Sequence, residues 1–165
     1  MNRFLFICFT LIGGFLMQLV LDRYLSLYNA TPQILLLLVV AFGFYFGPLM
    51  GETLGFFWGL MTDSMGVSLF GINALVLTLA GYVAGQLRRR VASERAAGQL
   101  VIALVTTLYY WLLVPFLYSI FEEGRGGIPY LTVILEMLLN IIFVSGVFWL
   151  VDQWIDMWRL EREHM

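Results

Sequence analysis

The chain has 165 residues, of which 61% are apolar and 12% are charged, and its formal net charge is −2. A soluble domain is about half apolar and about a quarter charged, so this composition excludes a water-soluble globular fold. One bilayer span takes roughly 20 apolar residues, so the chain can hold about six spans and no separate soluble domain. The small net charge excludes nucleic acid as a partner and leaves membrane lipid as the main surroundings.

The first apolar run, residues 4–21, is longer than the core of a signal peptide, and no small-residue cleavage site follows it. We interpret this run as a retained helix. The second span is predicted to begin at about Gln33, with Thr31 as its cap and Pro32 in its first turn. Gly47 and Pro48 are predicted to end it, since proline cannot continue a helix without losing a hydrogen bond.

The third span is predicted to be short, because 14 residues rise only about 21 Å. It must therefore lie in thinned bilayer or be buried within protein.

Pro115 is expected to kink the fifth span. The sequence thus predicts an all-α integral membrane protein, a single transmembrane domain over residues 1–165 built as a six-helix bundle. The predicted spans are 4–21, 33–46, 49–62, 69–87, 98–121 and 128–151.

The arginines predict the orientation of these spans. All nine basic residues are arginine. If six spans begin from a cytoplasmic amino terminus, seven arginines lie on the cytoplasmic side and two lie outside, as the positive-inside rule requires. Five spans would break the rule. Both termini are therefore predicted to be cytoplasmic, and Arg88, Arg89 and Arg90 are interpreted as topology determinants that contact lipid headgroups.

A ladder of glycines crosses the second and third spans with a step of four residues. Small residues at this spacing let helix backbones approach closely in lipid. We interpret the stretch from Gly51 to Gly59 as internal packing of the third span, with a docking face for another chain as the alternative. The ladder consists of Gly43, Gly47, Gly51, Gly55 and Gly59.

Three acidic side chains fall within or directly beside predicted spans. Glu52 lies in the first turn of the third span, where the helix dipole favours a carboxylate. Asp63 follows the same span at its carboxyl end, where a carboxylate is disfavoured. Asp63 must therefore cap the following turn, pair with an arginine or bind a partner. Glu136 forms a stripe with Thr132 and Asn140 on one face of the sixth span, and this stripe is expected to face the bundle interior or a polar cavity.

The sequence has no catalytic or cofactor-binding signature. A nucleophile elbow and a phosphate-binding loop are both missing. The single cysteine, Cys8, and the single histidine, His164, exclude a metal site made of these ligands. We therefore expect no enzyme activity, no cofactor and no metal.

Three segments of the chain resemble the bacterial MreD family of rod shape-determining proteins. The most recognisable part is a Gly-Phe-x-x-Gly-x-x-x-Asp pattern in the third span. The resemblance marks a set of residues for partner binding or helix packing, namely Gly51, Gly55, Phe56, Gly59, Asp63 and Gly71. The segments are 31–36, 51–63 and 69–75, the last of which runs on to Gly81 and Tyr82.

This resemblance implies a non-enzymatic subunit of the cell-elongation machinery in the bacterial cytoplasmic membrane. Such subunits associate with the bitopic protein MreC and, through it, with MreB and the RodA–PBP2 peptidoglycan synthase. The family is also similar in fold to the six-helix substrate-binding components of energy-coupling factor vitamin transporters. The alternative is therefore a small-solute uptake component, in which Asn73, Glu136 and Asn140 would line a polar pocket.

Overall fold

The computed structural model describes residues 3–25, 30–65, 70–87, 96–121 and 130–163. Over these ranges the chain forms six α-helices and no β-strand, which confirms the all-α class. Each helix overlaps one predicted span. The helices are α1 (Arg3–Tyr24), α2 (Ile34–Phe46), α3 (Pro48–Met65), α4 (Ile72–Leu87), α5 (Ala96–Phe121) and α6 (Tyr130–Glu163).

Two of these helices are long and apolar enough to cross a membrane. They contain the stretches Gly98–Leu117 and Leu131–Ile155. Helices α2 and α4 are also apolar but have only 13 and 16 residues. A helix of 13 residues rises about 20 Å, which is less than the roughly 30 Å of a hydrocarbon core, so α2 depends on its protein neighbours rather than on lipid.

Helix α2 is the centre of the bundle. It contacts each of the other five helices, and every residue from Ile34 to Phe44 is buried. A helix that is apolar on all sides has no face to present to water, and it is stable when its neighbours surround it completely. The uninterrupted apolar run of α2 therefore accounts for its central position.

One helix boundary, the carboxyl end of α6, differs clearly from the prediction, and the others agree within three residues. The prediction that Thr31 caps α2 is wrong, because Gln33 is the N-cap residue and side chains from other helices bind the free amides of this end. Helix α6 continues to Glu163, well beyond the predicted end at Val151. No proline or glycine follows Val151 to stop it.

A single residue, Gly47, joins α2 to α3. Its φ of 98° and ψ of 174° fall in a region that is essentially open to glycine alone. The N–H of Gly47 donates to the carbonyl oxygen of Gly43 at 2.8 Å, and Pro48 then begins α3, where the lack of an N–H costs nothing. This one-residue connection directs α3 back along α2.

Candidate functional site

The glycine ladder lies at an internal interface where α2, α3 and α4 meet. A Cβ atom built on Gly43 would come within 2.6 Å of the carbonyl oxygen of Gly81, and one built on Gly51 within 2.7 Å of the same oxygen. Real Cβ atoms do not approach a backbone oxygen so closely. Only glycine therefore allows the three backbones to meet at this point.

The next two glycines of the ladder, Gly55 and Gly59, pack against α4 in the same way. A Cβ atom on Gly55 would collide with the backbone of Leu77, and one on Gly59 with the backbone of Ala74. Both glycines are buried. The structure thus places Gly51, Gly55 and Gly59 on the face of α3 that contacts α4, where another chain cannot reach them.

The opposite side of α3 is aromatic and open. Phe56 and Phe57 are each 47% exposed, and their rings meet edge to face with centroids 5.8 Å apart. Trp58 is fully buried between these two faces, and its Nε1 donates to the carbonyl oxygen of Leu11 in α1 at 2.8 Å. Of the residues that the family resemblance marks, Phe56 is the one exposed at the surface.

Asp63 lies at the carboxyl-terminal end of α3, where α4 begins. Its side chain is 2% exposed and accepts four hydrogen bonds. Three come from the backbone amides of Gly71, Asn73 and Ala74, at 3.0 Å, 3.1 Å and 3.0 Å, and one comes from Asn73 Nδ2 at 2.9 Å. The first amides of a helix have no partner within it, and the helix dipole favours an anion there. Of the three roles that the sequence allows for Asp63, the structure shows the helix cap.

Gly71 and Asn73 extend this cap in two directions. Gly71 has a φ of 101°, which favours glycine, and its carbonyl oxygen accepts the first intrahelical bond, from Leu75. The Oδ1 atom of Asn73 accepts a hydrogen bond from Tyr110 Oη in α5 at 3.3 Å. Asn73 therefore binds Asp63 and Tyr110, rather than lining a pocket with Glu136 and Asn140.

A second group of polar side chains binds the amino-terminal end of α2. Glu136 is 8% exposed and Asn140 is 1% exposed, while Thr132 is partly exposed. Gln33 Nε2 donates to Glu136 Oε2 at 2.7 Å, and the backbone N–H of Gln33 donates to Asn140 Oδ1 at 2.8 Å. Asn140 Nδ2 in turn donates to Thr107 Oγ1 in α5 at 3.3 Å.

Helix α1 completes this group through Gln18. Its Oε1 accepts a hydrogen bond from the backbone N–H of Leu35 at 3.3 Å, and its Nε2 lies 3.2 Å from the carbonyl oxygen of Pro32 and 2.7 Å from Asp22 Oδ1. Side chains of α1 and α6 thus accept hydrogen bonds from backbone amides at the start of α2, as a local N-cap residue would do. We name this group the α2 cap cluster, and its members are Gln18, Gln33, Thr107, Glu136 and Asn140.

Sequence reasoning missed Gln33, although it joins Glu136 and Asn140 to α2. The signal was a long amide side chain directly before an uninterrupted apolar helix. One buried polar atom of the cluster, Gln33 Oε1, has no hydrogen-bond partner among the described residues. The Trp111 indole lies beside the carboxyl group of Glu136.

An apolar groove of about 460 Å³ separates α1 from α6 over the surface of α2. Gly13 of α1 and Gly146 of α6 face it from opposite sides, and a Cβ atom on either would meet nothing within 4 Å. The rings of Phe9 and Trp154 stack across one end with centroids 5.6 Å apart.

The predicted arginine cluster Arg88, Arg89 and Arg90 lies outside the described residues. Within the described ranges, no group of three or more His, Cys, Asp or Glu side chains is arranged to hold a metal ion.

The Gln33–Glu136 hydrogen bond predicts how α6 tolerates substitution. In Glu136→Gln the new amide oxygen still accepts from Gln33 Nε2, so the melting temperature of the purified protein in detergent should stay close to that of the wild type. Glu136→Leu leaves the Gln33 amide without its acceptor, which costs about 1–3 kcal/mol, and should lower the melting temperature by several degrees. A Gln variant as unstable as the Leu variant would contradict this structural role. A stable Gln variant that has lost its function would instead indicate ion or solute passage.

Comparison with known proteins gave one finding. A family model described as rod shape-determining protein MreD matches residues 1–153 of the chain. No curated protein and no solved structure matches the chain. The match includes α1 to α5 and α6 as far as residue 153, and therefore extends well beyond the motifs between residues 31 and 85.

Proposed function

Because the chain belongs to the family of rod shape-determining protein MreD, we propose that it is a membrane subunit of the bacterial cell-elongation complex. The family is non-enzymatic, membrane-associated and concerned with cell shape. In this proposal the protein binds an MreC-like bitopic protein and thereby helps to organise peptidoglycan synthesis, with MreB and RodA–PBP2 as indirect partners. The observation that carries the proposal is the family match over nearly the whole helical region.

We further propose that all six helices span the bacterial cytoplasmic membrane as one domain, with both termini in the cytoplasm. The seven-to-two distribution of arginines supports this orientation. The burial of α2 by its five neighbours supports counting a short helix as a span, because it does not need to match the bilayer thickness by itself.

Labelling of single cysteines tests the orientation. In a Cys8→Ser background, Ser26→Cys should react with a membrane-impermeant maleimide added to intact spheroplasts, because residue 26 follows α1 on the outer side. Ser93→Cys should react only after the membrane is permeabilised, because residue 93 follows α4 on the cytoplasmic side. Labelling of position 93 in intact spheroplasts would refute the six-span topology.

The partner surface that we propose is the aromatic face of α3. Its glycine face is occupied by α4, and Asp63 is buried under the start of α4, so these residues shape α3 without touching a partner. Phe56 and Phe57 remain exposed. Aromatic side chains are enriched in the centres of protein interfaces, and Phe56 belongs to the motif that resembles the family.

Truncation of Phe56 tests this surface. Phe56→Ala should weaken capture of a co-expressed MreC-like partner by about 2 kcal/mol, or about 30-fold in Kd, while the protein level and melting temperature stay unchanged. Phe116→Ala is the matched control, because Phe116 is 57% exposed on α5 and should not affect capture. Equal capture by both variants and the wild type would exclude this face of α3.

The hydrogen bonding of the α2 cap cluster favours the scaffold over a solute-uptake component. Glu136 and Asn140 already bind Gln33 and Thr107, so they stabilise the bundle and are not free to bind a solute. A small polar solute that co-purifies with the protein would reverse this conclusion.

A further inference from the structure

Glu52 is an acidic side chain to which neither the fold nor the proposed partner surface gives a role. It is partly exposed, and no group among the described residues forms a hydrogen bond or an ion pair with it. Ionisable side chains of membrane-spanning helices almost always face the bundle interior or pair with another group. Glu52 does neither within the described part of the chain, so a second molecule is needed to supply the opposite charge.

Glu52 lies on the open side of the α3–α4 pair, next to Phe56. The two residues are four positions apart and therefore share one side of α3, one turn from each other. A Cβ atom on Gly81 would come within 2.9 Å of the backbone nitrogen of Glu52, so the following residue, Tyr82, lies at the same level. Ala84 faces α2, and Tyr82, 44% exposed, lies on the opposite side of α4. We name Glu52, Phe56 and Tyr82 the α3–α4 outer face.

The described helices leave this face uncovered. Helix α3 contacts α1, α2 and α4. Its glycines pack on α4, and Trp58 binds α1 through its indole nitrogen, so the side between these two contacts is open. A carboxylate bordered by two exposed aromatic rings therefore lies on a surface that only another molecule can cover.

The position of Glu52 along α3 indicates the chemistry of that molecule. Helix α3 begins at Pro48, on the cytoplasmic side in the proposed topology, and Glu52 follows about 6 Å further along. At this level a membrane-spanning helix with a cytoplasmic flank carries its arginines and lysines. A cationic side chain can pair with the carboxylate and stack against an aromatic ring, and the guanidinium of arginine is the best suited to do both.

We propose that the α3–α4 outer face binds the single membrane-spanning helix of the partner, and that Glu52 pairs with an arginine or lysine at the cytoplasmic end of that helix. This inference rests on the proposed function, because the partner is the MreC-like bitopic protein proposed above. Phe56 and Tyr82 cover the ion pair on either side. The pair fixes the register of the two helices, because a partner with an acidic residue at this level meets a like charge.

Charge reversal on both sides of the contact tests the pair. The partner is co-expressed with the tagged chain, and the amount that co-elutes is measured. Glu52→Arg should lower capture about tenfold. The partner's basic residues at the cytoplasmic end of its span are then changed to Glu one at a time. We expect one of these changes to lower capture by the wild type and to restore most of the capture by Glu52→Arg. Asp152→Arg is the matched control, because Asp152 is exposed near the cytoplasmic end of α6 and the same reversal there should not affect capture.

Glu52→Gln and the melting temperature without partner separate the pair from a role inside the chain. Glu52→Gln should weaken capture less than Glu52→Arg, and both variants should melt as the wild type does. If the wild type captures the partner and both Glu52 variants capture it equally well, this inference is overturned and the proposed function stands. A wild type that captures no partner overturns both. The inference also fails if no partner reversal restores capture, or if Glu52→Gln melts early, which would place the counter-charge of Glu52 in its own chain.

Discussion

Asp63→Ala should strongly destabilise the protein where α3 ends and α4 begins. The substitution removes the acceptor of four hydrogen bonds, three of them from backbone amides at the start of α4, at a site that is 2% exposed. Each buried donor left without a partner costs about 1–3 kcal/mol, and bonds to a carboxylate are stronger than neutral ones. We therefore expect the free energy of unfolding to fall by at least about 3 kcal/mol.

Fluorescence-detected size-exclusion chromatography and the melting temperature in detergent measure this loss. Asp63→Asn should also be destabilised, though less, because one of its two oxygens is replaced by an amide nitrogen that faces donors. Ser64→Ala is the control, since Ser64 is exposed and its hydroxyl binds only the carbonyl oxygen of Leu60 in its own helix. An Asp63→Ala protein as stable as Ser64→Ala would contradict the cap.

Gly59→Ala should be almost as damaging, although it adds one methyl group. A Cβ atom at this position would overlap the backbone of Ala74, and a backbone atom cannot rotate away as a side chain can. Overpacking of a tight core costs about 1–3 kcal/mol, and a clash between two backbones should lie at or above the upper end of that range. The expected result is separation of α3 from α4 and a large loss of folded protein.

Gly146→Ala is the matched control for Gly59→Ala. Both substitutions add the same atom to a helical glycine, but a Cβ atom on Gly146 meets nothing within 4 Å. We expect Gly146→Ala to equal or slightly exceed the wild type in melting temperature, because alanine is the better helix former. If both variants melt at the same temperature, the close approach of α3 and α4 does not hold.

The sequence was sufficient to predict the helices and the close packing. The apolar runs predicted six helices, because the length of an apolar run limits the length of the helix that it can form. The fourfold glycine spacing predicted a close helix contact for α3, since a repeat of four residues places these glycines on one face of the helix. These features depend on short-range periodicity, which is present in any window of the chain.

The partners of the polar residues could not be predicted in the same way. Gln33 binds Asn140 and Glu136 across more than a hundred residues of chain, and no local pattern gives such a pairing. The same reason explains why Thr31 was wrongly predicted as a cap, because the caps of α2 come from other helices. For Asp63 the sequence allowed three roles, and only the approach of α4 shows which one applies.

The central claim is that this chain acts as an MreD-family subunit in maintaining rod shape, and complementation tests it most directly. The chain is expressed in a rod-shaped bacterium depleted of its own MreD, together with the MreC that corresponds to this chain. We predict that cells return to rods and that MreC co-elutes with the tagged chain from detergent-solubilised membranes. Cells that stay round, with the chain folded in the membrane and MreC absent from the eluate, would contradict the claim.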